Sequence, residues 1–250
     1  MPITTTTEPI PGSLQTNVSV PVINSGGIVS AASNAFQRPL APGSMVSIYG
    51  SRLSQSQAAA GSLPLPMNLG GSSVQFGSTV MPLLYTSTGQ VNAMIPYGTA
   101  VDTTHQVFVS LGSSISVPEP ITVAAAAPGV FTVDGKQGIA LYGANIADSA
   151  HPAKAGDVLV IYCTGLGEVS PSIVAGAPAP MAPLSKTLNT VTATIGGVAA
   201  SVQFAGLAPG YAGLYQVNAI VPSGITAGGQ VPLVLTAAGQ NSPPVYVAIR

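Results

Sequence analysis

The chain has 250 residues, of which 46% are hydrophobic and only 5% charged, with 29 glycines, 23 prolines and a formal net charge of −1. That leaves apolar surface for two cores of ordinary sandwich size but no basic patch, which excludes nucleic acid and polybasic membrane attachment as partner classes. No apolar run approaches the ~20 residues of a membrane span, and low charge with abundant Thr, Ser and Gly is a composition of secreted and surface proteins.

The chain starts Met1-Pro2-Ile3-Thr4-Thr5-Thr6-Thr7, with neither a charged n-region nor an apolar core, so no signal peptide is visible. Residues 1–24 read as an extended tail. Within it Asn17-Val18-Ser19-Val20-Pro21-Val22-Ile23 alternates like a strand. It is expected to add to a sheet edge, either of its own unit or of a neighbouring molecule. Exchange between molecules would give filaments.

From residue 25 onward, short β-branched runs alternate with Gly/Pro turns, the pattern of an all-β chain. Strands are expected at 28–32, 45–49, 73–76, 81–85, 90–95, 106–111 and 121–124. Pro128-Gly129 and Asp134-Gly135 punctuate a junction, so a first unit spans 25–133 and a second 134–250. In the second, strands are expected at 139–142, 158–163, 191–195, 200–204, 216–221, 230–235 and 245–249. The single Cys163 excludes an intrachain disulfide and, inside Val158-Leu159-Val160-Ile161-Tyr162-Cys163, reads as a small buried hydrophobe.

The second unit repeats the first. Gly43, Ile48, Tyr49 and Leu53 recur as Gly156, Ile161, Tyr162 and Leu166, an offset of 113 residues. Phe76-Gly77 and Tyr85 align with Ile195-Gly196 and Phe204 at 119. Gln90-Val91-Asn92-Ala93-Met94-Ile95-Pro96 returns as Gln216-Val217-Asn218-Ala219-Ile220-Val221-Pro222 at 126. The growing offset places extra residues of the second copy at 170–186 and 205–215, between apolar runs, where loops tolerate insertion. About seven short strands per unit give two tandem immunoglobulin-like β-sandwiches made by internal duplication.

Ala41-Pro42-Gly43-Ser44-Met45-Val46-Ser47-Ile48-Tyr49-Gly50 resembles the opening strand of IPT/TIG immunoglobulin-like domains. The longer series resembles the Solibacter-type C-terminal domain family of large acidobacterial proteins. It comprises Ala126-Ala127-Pro128-Gly129-Val130-Phe131, Gly156–Tyr162 with Thr164-Gly165-Leu166-Gly167, and Leu207-Ala208-Pro209-Gly210-Tyr211 with Gly213–Asn218. The resemblance spans about residues 25–250 and implies the C-terminal part of a secreted or surface protein. It brings no catalytic residues and no cofactor. Cys163 departs from the small residue the family would place there.

Chemistry-bearing residues are few and scattered. His105 and His151 sit in polar loop contexts, neither beside a nucleophile elbow. The acids Glu8, Asp102, Glu119, Asp134, Asp148, Asp157 and Glu168 fall about one per loop, without the facing pair of a glycosidase. Zinc spacing, calcium loops and a phosphate cradle after Gly165-Leu166-Gly167 are all missing from the pattern. The inserted loop carries Leu207, Tyr211, Leu214 and Tyr215, which would either stack on a sugar or anchor a partner, or fold back onto the core or the first unit.

The expected function is therefore a non-catalytic extracellular or cell-surface module, structural or adhesive. It would act through a protein partner or through self-association at sheet edges, into surface assemblies or filaments. The alternative is a carbohydrate-binding module of a larger secreted protein, resting on Tyr211 and Tyr215 and a polysaccharide partner. An enzyme would need a pocket gathering His151, Asp148 and Asp157.

Overall fold

The computed structural model describes residues 20–36 and 38–250, and these are all-β: two tandem immunoglobulin-like sandwiches, as the sequence predicts. In the first unit β1 is Val22–Ser30, β2 Met45–Ser51, β3 Ala58–Ala59, β4 Ser72–Phe76, β5 Thr79–Met81, β6 Leu83–Thr86, β7 Gln90–Met94, β8 Thr103–Leu111, β9 Ser114–Ile115 and β10 Glu119–Val123. One sheet has the order β1-β2-β7-β6-β3, and the facing sheet β10-β8-β4-β5 with β9 beside β8. Alternating side chains of both, such as Val46, Ile48, Val91, Val74, Val107 and Val109, close a fully buried core.

In the second unit β11 is Gly129–Val130, β12 Ala140–Tyr142, β13 Asn145–Ile146, β14 Val158–Thr164, β15 Val169–Ser170, β16 Lys186–Thr187, β17 Val191–Ile195, β18 Val198–Leu207, β19 Tyr215–Ile220, β20 Gly228–Ala237, β21 Gln240–Asn241 and β22 Val245–Ile249. Its core is built from Leu159, Ile161, Val217, Ile195, Leu233, Leu235 and their neighbours.

The repeat holds at the level of strand register. Met45↔Met94 and Ile48↔Val91 of β2–β7 become Val158↔Ile220 and Ile161↔Val217 of β14–β19. Val74↔Val109 becomes Ala193↔Leu235, and Ile121↔His105 becomes Val247↔Val231. Even the β-bulge recurs in place, between Leu83 and Tyr85 and again between Val202 and Phe204.

Three boundaries differ from the sequence reading. The 81–85 strand is split, because Pro82 separates β5 on one sheet from β6 on the other. Its counterpart β18 runs unbroken from β17 across to β19. The unit junction lies earlier than 133/134: Gly129↔Thr164 and Val130↔Cys163 pair β11 into the second unit, and Ala126 and Val130 belong to its core. These two pairs match Val22↔Ser51 and Ile23↔Gly50 of the first unit, so β11 and β12 are the two ends of one duplicated strand. The longer excursion between them hid this in the sequence. By the same token Val22 to Asn24, read as tail, are the start of β1 and pair within their own unit. Val20 and Pro21 precede β1, and residues 1–19 of the tail reading lie outside the described residues.

With charge nearly absent, two of the sheet edges are shielded by the chain's own backbone. The outer edge of β22 is met by Lys136–Gly138, Ala147 and Ala153, and that of β10 by Leu40. Pro232 lies not at an edge but in β20 between β17 and β22, its carbonyl accepting from the Gly196 N–H at 2.8 Å.

Candidate functional site: the seam between the units

Both insertions that break the repeat offset are turned toward the first unit. In the first of them the Gly176 N–H donates to Met94 Sδ at 3.3 Å, and its carbonyl accepts from Leu65 N–H at 2.8 Å. In the second, Gly213 lies where an added Cβ would meet Met94 Sδ at 3.1 Å and Met45 Cε at 3.2 Å. The two loops also hold one another, through Ala179 N–H to Tyr211 O and Gly210 N–H to Ala179 O, both 2.9 Å. The extra residues of the second copy therefore form a clamp on the first.

Polar groups complete the seam. Met45 N–H donates to Thr164 Oγ1 at 2.9 Å, and Gly98 N–H donates to Glu168 Oε1 at 2.7 Å. Tyr215 is 0% exposed, and its hydroxyl donates to the Gly167 carbonyl, so it must accept from the Tyr97 hydroxyl 3.2 Å away. Burial pushes both phenols well above the ordinary tyrosine range; the hydrogen bond to Tyr215 partly offsets this at Tyr97, while the neighbouring phenol adds to it at Tyr215. Gly43, at φ +73°, lets the backbone come close to this pair, for a Cβ there would run into the Tyr97 ring and the Tyr215 hydroxyl. On the linker side, Asn189 Nδ2 bridges the carbonyls of Ala125 and Leu166, each at 3.0 Å.

Of the four loop residues singled out from the sequence, two leave the candidate surface. Leu207 is 1% exposed and Tyr215 fully buried, because each ends a strand on its inward face. Tyr211 is 59% exposed, and Leu214 is partly buried. These two border a groove of about 510 Å³ that crosses the seam. Its other walls include Met45, Leu63, Leu84, Asn92 and Phe131, and no charged residue lines it.

The histidines and acids do not converge on this groove. His105 lies in β8 rather than in a loop, its ring stacked on Phe76 at 4.6 Å, with Nε2 2.8 Å from Thr103 Oγ1 and Ala100 O. His151 closes an exposed turn, with Nδ1 3.3 Å from Asp148 Oδ1. The His151 and Ala150 N–H groups on Asp148 hold that carboxyl below the usual range. Asp134 is held low in the same way by the N–H groups of Gln137 and Lys136. Asp157 accepts from Lys154 N–H at 2.9 Å. Each is a turn residue of its own loop. Among the described residues no group of three or more His, Cys, Asp or Glu side chains is placed to hold a metal ion.

No protein-family model and no curated protein matches the chain. Among solved structures it is similar to domains 5–6 of the S-layer protein SbsC, at 14% identity and a TM-score of 0.29 over 92% of this chain and 98% of that one. It is similar also to the titin fragment A168169, at 9% identity and a TM-score of 0.22 over 92% of this chain and 94% of that one. A third likeness is to tandem Ig repeats of Dlar, at 11% identity and a TM-score of 0.20 over 93% of this chain and 97% of that one.

Proposed function

We propose that the chain is a non-catalytic structural module of the cell exterior, a stiff two-unit strut. The observation that carries this reading is the seam. Its polar groups are engaged in holding one unit to the other, and the described chain enters at Val20, beside Arg52 at one end, and leaves at Arg250 at the other. The only cysteine is buried, so cysteines introduced at Ser25 and Arg250 can be labelled alone. A strut gives one narrow distance between the two labels; a broad distribution would mean independently moving units and would end this reading. Labelling of intact cells with a membrane-impermeant reagent tests the exterior location.

Tyr211 favours a second reading, carbohydrate binding, since its ring is open to solvent on the rim of an uncharged groove. Insoluble polysaccharide should retain the chain and release the Tyr211→Ala variant. Tyr215→Ala is no test of binding, because it empties the core.

A further inference from the structure

We propose that the free end of the first unit docks on the free end of the second unit of another copy, so that the chain associates end to end. The inference extends the strut reading, and its failure would leave a strut that works alone.

The seam joins unlike ends. The first unit presents the end where β2 starts and β7 finishes, marked by the Met45–Met94 pair. The second presents the end where β14 finishes and the β20–β21 hairpin turns. There Thr164 binds Met45 N–H, Asn241 O accepts from Arg38 Nη2 at 2.7 Å, and Pro243 shares a narrow cleft with Pro39 and Leu40. Such a contact is heterologous, so each chain keeps one unused end of each kind, and repetition gives an open line.

Both unused ends carry apolar residues at several of the positions that the seam uses. On the second unit, Val158 and Ile220 stand for Met45 and Met94 and pair in the same register, with Val158 37% exposed. On the first unit, Ile115 and Val117 stand for Asn241 and Pro243, and they are 55% and 81% exposed. Val20 and Val22 join them at that end, since Val22 pairs with Ser51 and Gly26 N–H donates to Glu119, two residues beyond Val117. Scattered exposed valines need no explanation; several gathered at one sandwich end mark a contact surface.

The surface is also stiff. Ser116 between the two apolar residues is tied down, its Oγ accepting from Val109 N–H at 3.0 Å and its N–H donating to Val109 O at 2.9 Å. The same lock recurs in the docked hairpin between Ser242 and Leu235. A pre-ordered contact loses little freedom on docking.

The occupant is another copy because the molecule itself supplies the precedent: an end of this kind is already covered by an end of the other kind. A net charge of −1 opposes such stacking only weakly. The contact is weaker than the seam, for Gly89 and Gln55 stand where Tyr215 and Glu168 act, and the first unit lacks both inserted loops. Association is accordingly concentration-dependent.

The test uses the full chain with Val117→Asp at one end or Val158→Asp at the other, followed by sedimentation and light scattering over a concentration series. The wild type is expected to grow past dimer without a plateau, and each variant to stay monomeric. An equimolar mixture of the two variants is expected to form dimers and stop, since one intact pair of ends remains. If Val158→Asp disturbs folding, a globular protein fused after Arg250 blocks the same end. A wild type that stays monomeric throughout overturns the proposal, as does a mixture that fails to pair. Association that survives Val117→Asp but is lost on deleting residues 1–19 assigns it to strand addition by the tail and overturns it as well.

Discussion

Tyr215 was prominent in the sequence as an aromatic in an inserted loop, yet it is core. Its phase with Val217 and Ala219 on β19 turns it inward, unlike Tyr211 four residues earlier in the loop, and Tyr97 of the first unit meets its hydroxyl. The signal that was present is a break in the repeat: Tyr97 and Tyr215 stand where the other copy has Ser223 and Gly89. Their burial has a pH consequence. Both phenols titrate higher in the folded chain than in the unfolded one, so the stability they supply is whole below about pH 10 and falls as pH rises through the folded values. The phenolate absorbance of these two residues should therefore appear only together with unfolding on alkaline titration, and Tyr97→Phe should reduce the rise that accompanies unfolding. That variant also removes one neutral hydrogen bond, about 1 kcal/mol in a melt. Cys163 gives a second check. Burial pushes its thiol up and leaves no thiolate to react, so thiol reagents should label it only after denaturant is added. Labelling of the native chain at the rate of a free thiol would contradict that placement.

The strands themselves were readable, because alternation and Gly/Pro punctuation are local. What the sequence hid was how one strand is distributed between sheets. Val198–Leu207 crosses from β17 to β19 without interruption, whereas its counterpart needs Pro82 to make the same crossing in two pieces. β11 was missed for a different reason: two residues, Gly129 and Val130, carry no periodicity, and only their partner on β14 identifies them. The insertions were visible as shifts of register between copies, but not what they touch. Since they bridge the units, shortening residues 173–182 to a Gly-Ser turn should loosen the pair while leaving the first core intact and removing only Ala179 and the flanking Ile173 from the second. Loss of the two Gly176 hydrogen bonds, to Met94 Sδ and from Leu65 N–H, amounts to about 2 kcal/mol of coupling, at about 1 kcal/mol each. Limited proteolysis near residues 124–128 reads the effect, with faster cleavage into two stable fragments expected. A cleavage rate equal to that of the wild type would show that the loops merely lie on the seam.

At the scale of the molecule, duplication supplied two sandwiches, and divergence at one pair of ends made them a single body. The cores do not merge, for the clusters around Ile161 and Ile48 are separate, so cooperation between the units must pass through the seam. The seam contains a buried tyrosine pair and two backbone N–H groups, on Met45 and Gly98, that would lose their partners if it opened. The neutral hydrogen bonds contribute about 1 kcal/mol each and the solvent-exposed one to Glu168 no more than that, together comparable with a sizeable part of a domain's stability. The chain is therefore expected to melt in one calorimetric transition whose van't Hoff and calorimetric enthalpies agree. Thr164→Val combined with Glu168→Ala touches neither core cluster's packing heavily, but it leaves both N–H groups without their acceptors. It should split the transition into two, with the first unit melting earlier, because Met45 and Gly98, whose N–H acceptors are removed, both belong to that unit. Two transitions already present in the wild type would mean that the clamp only positions the units and does not couple their folding.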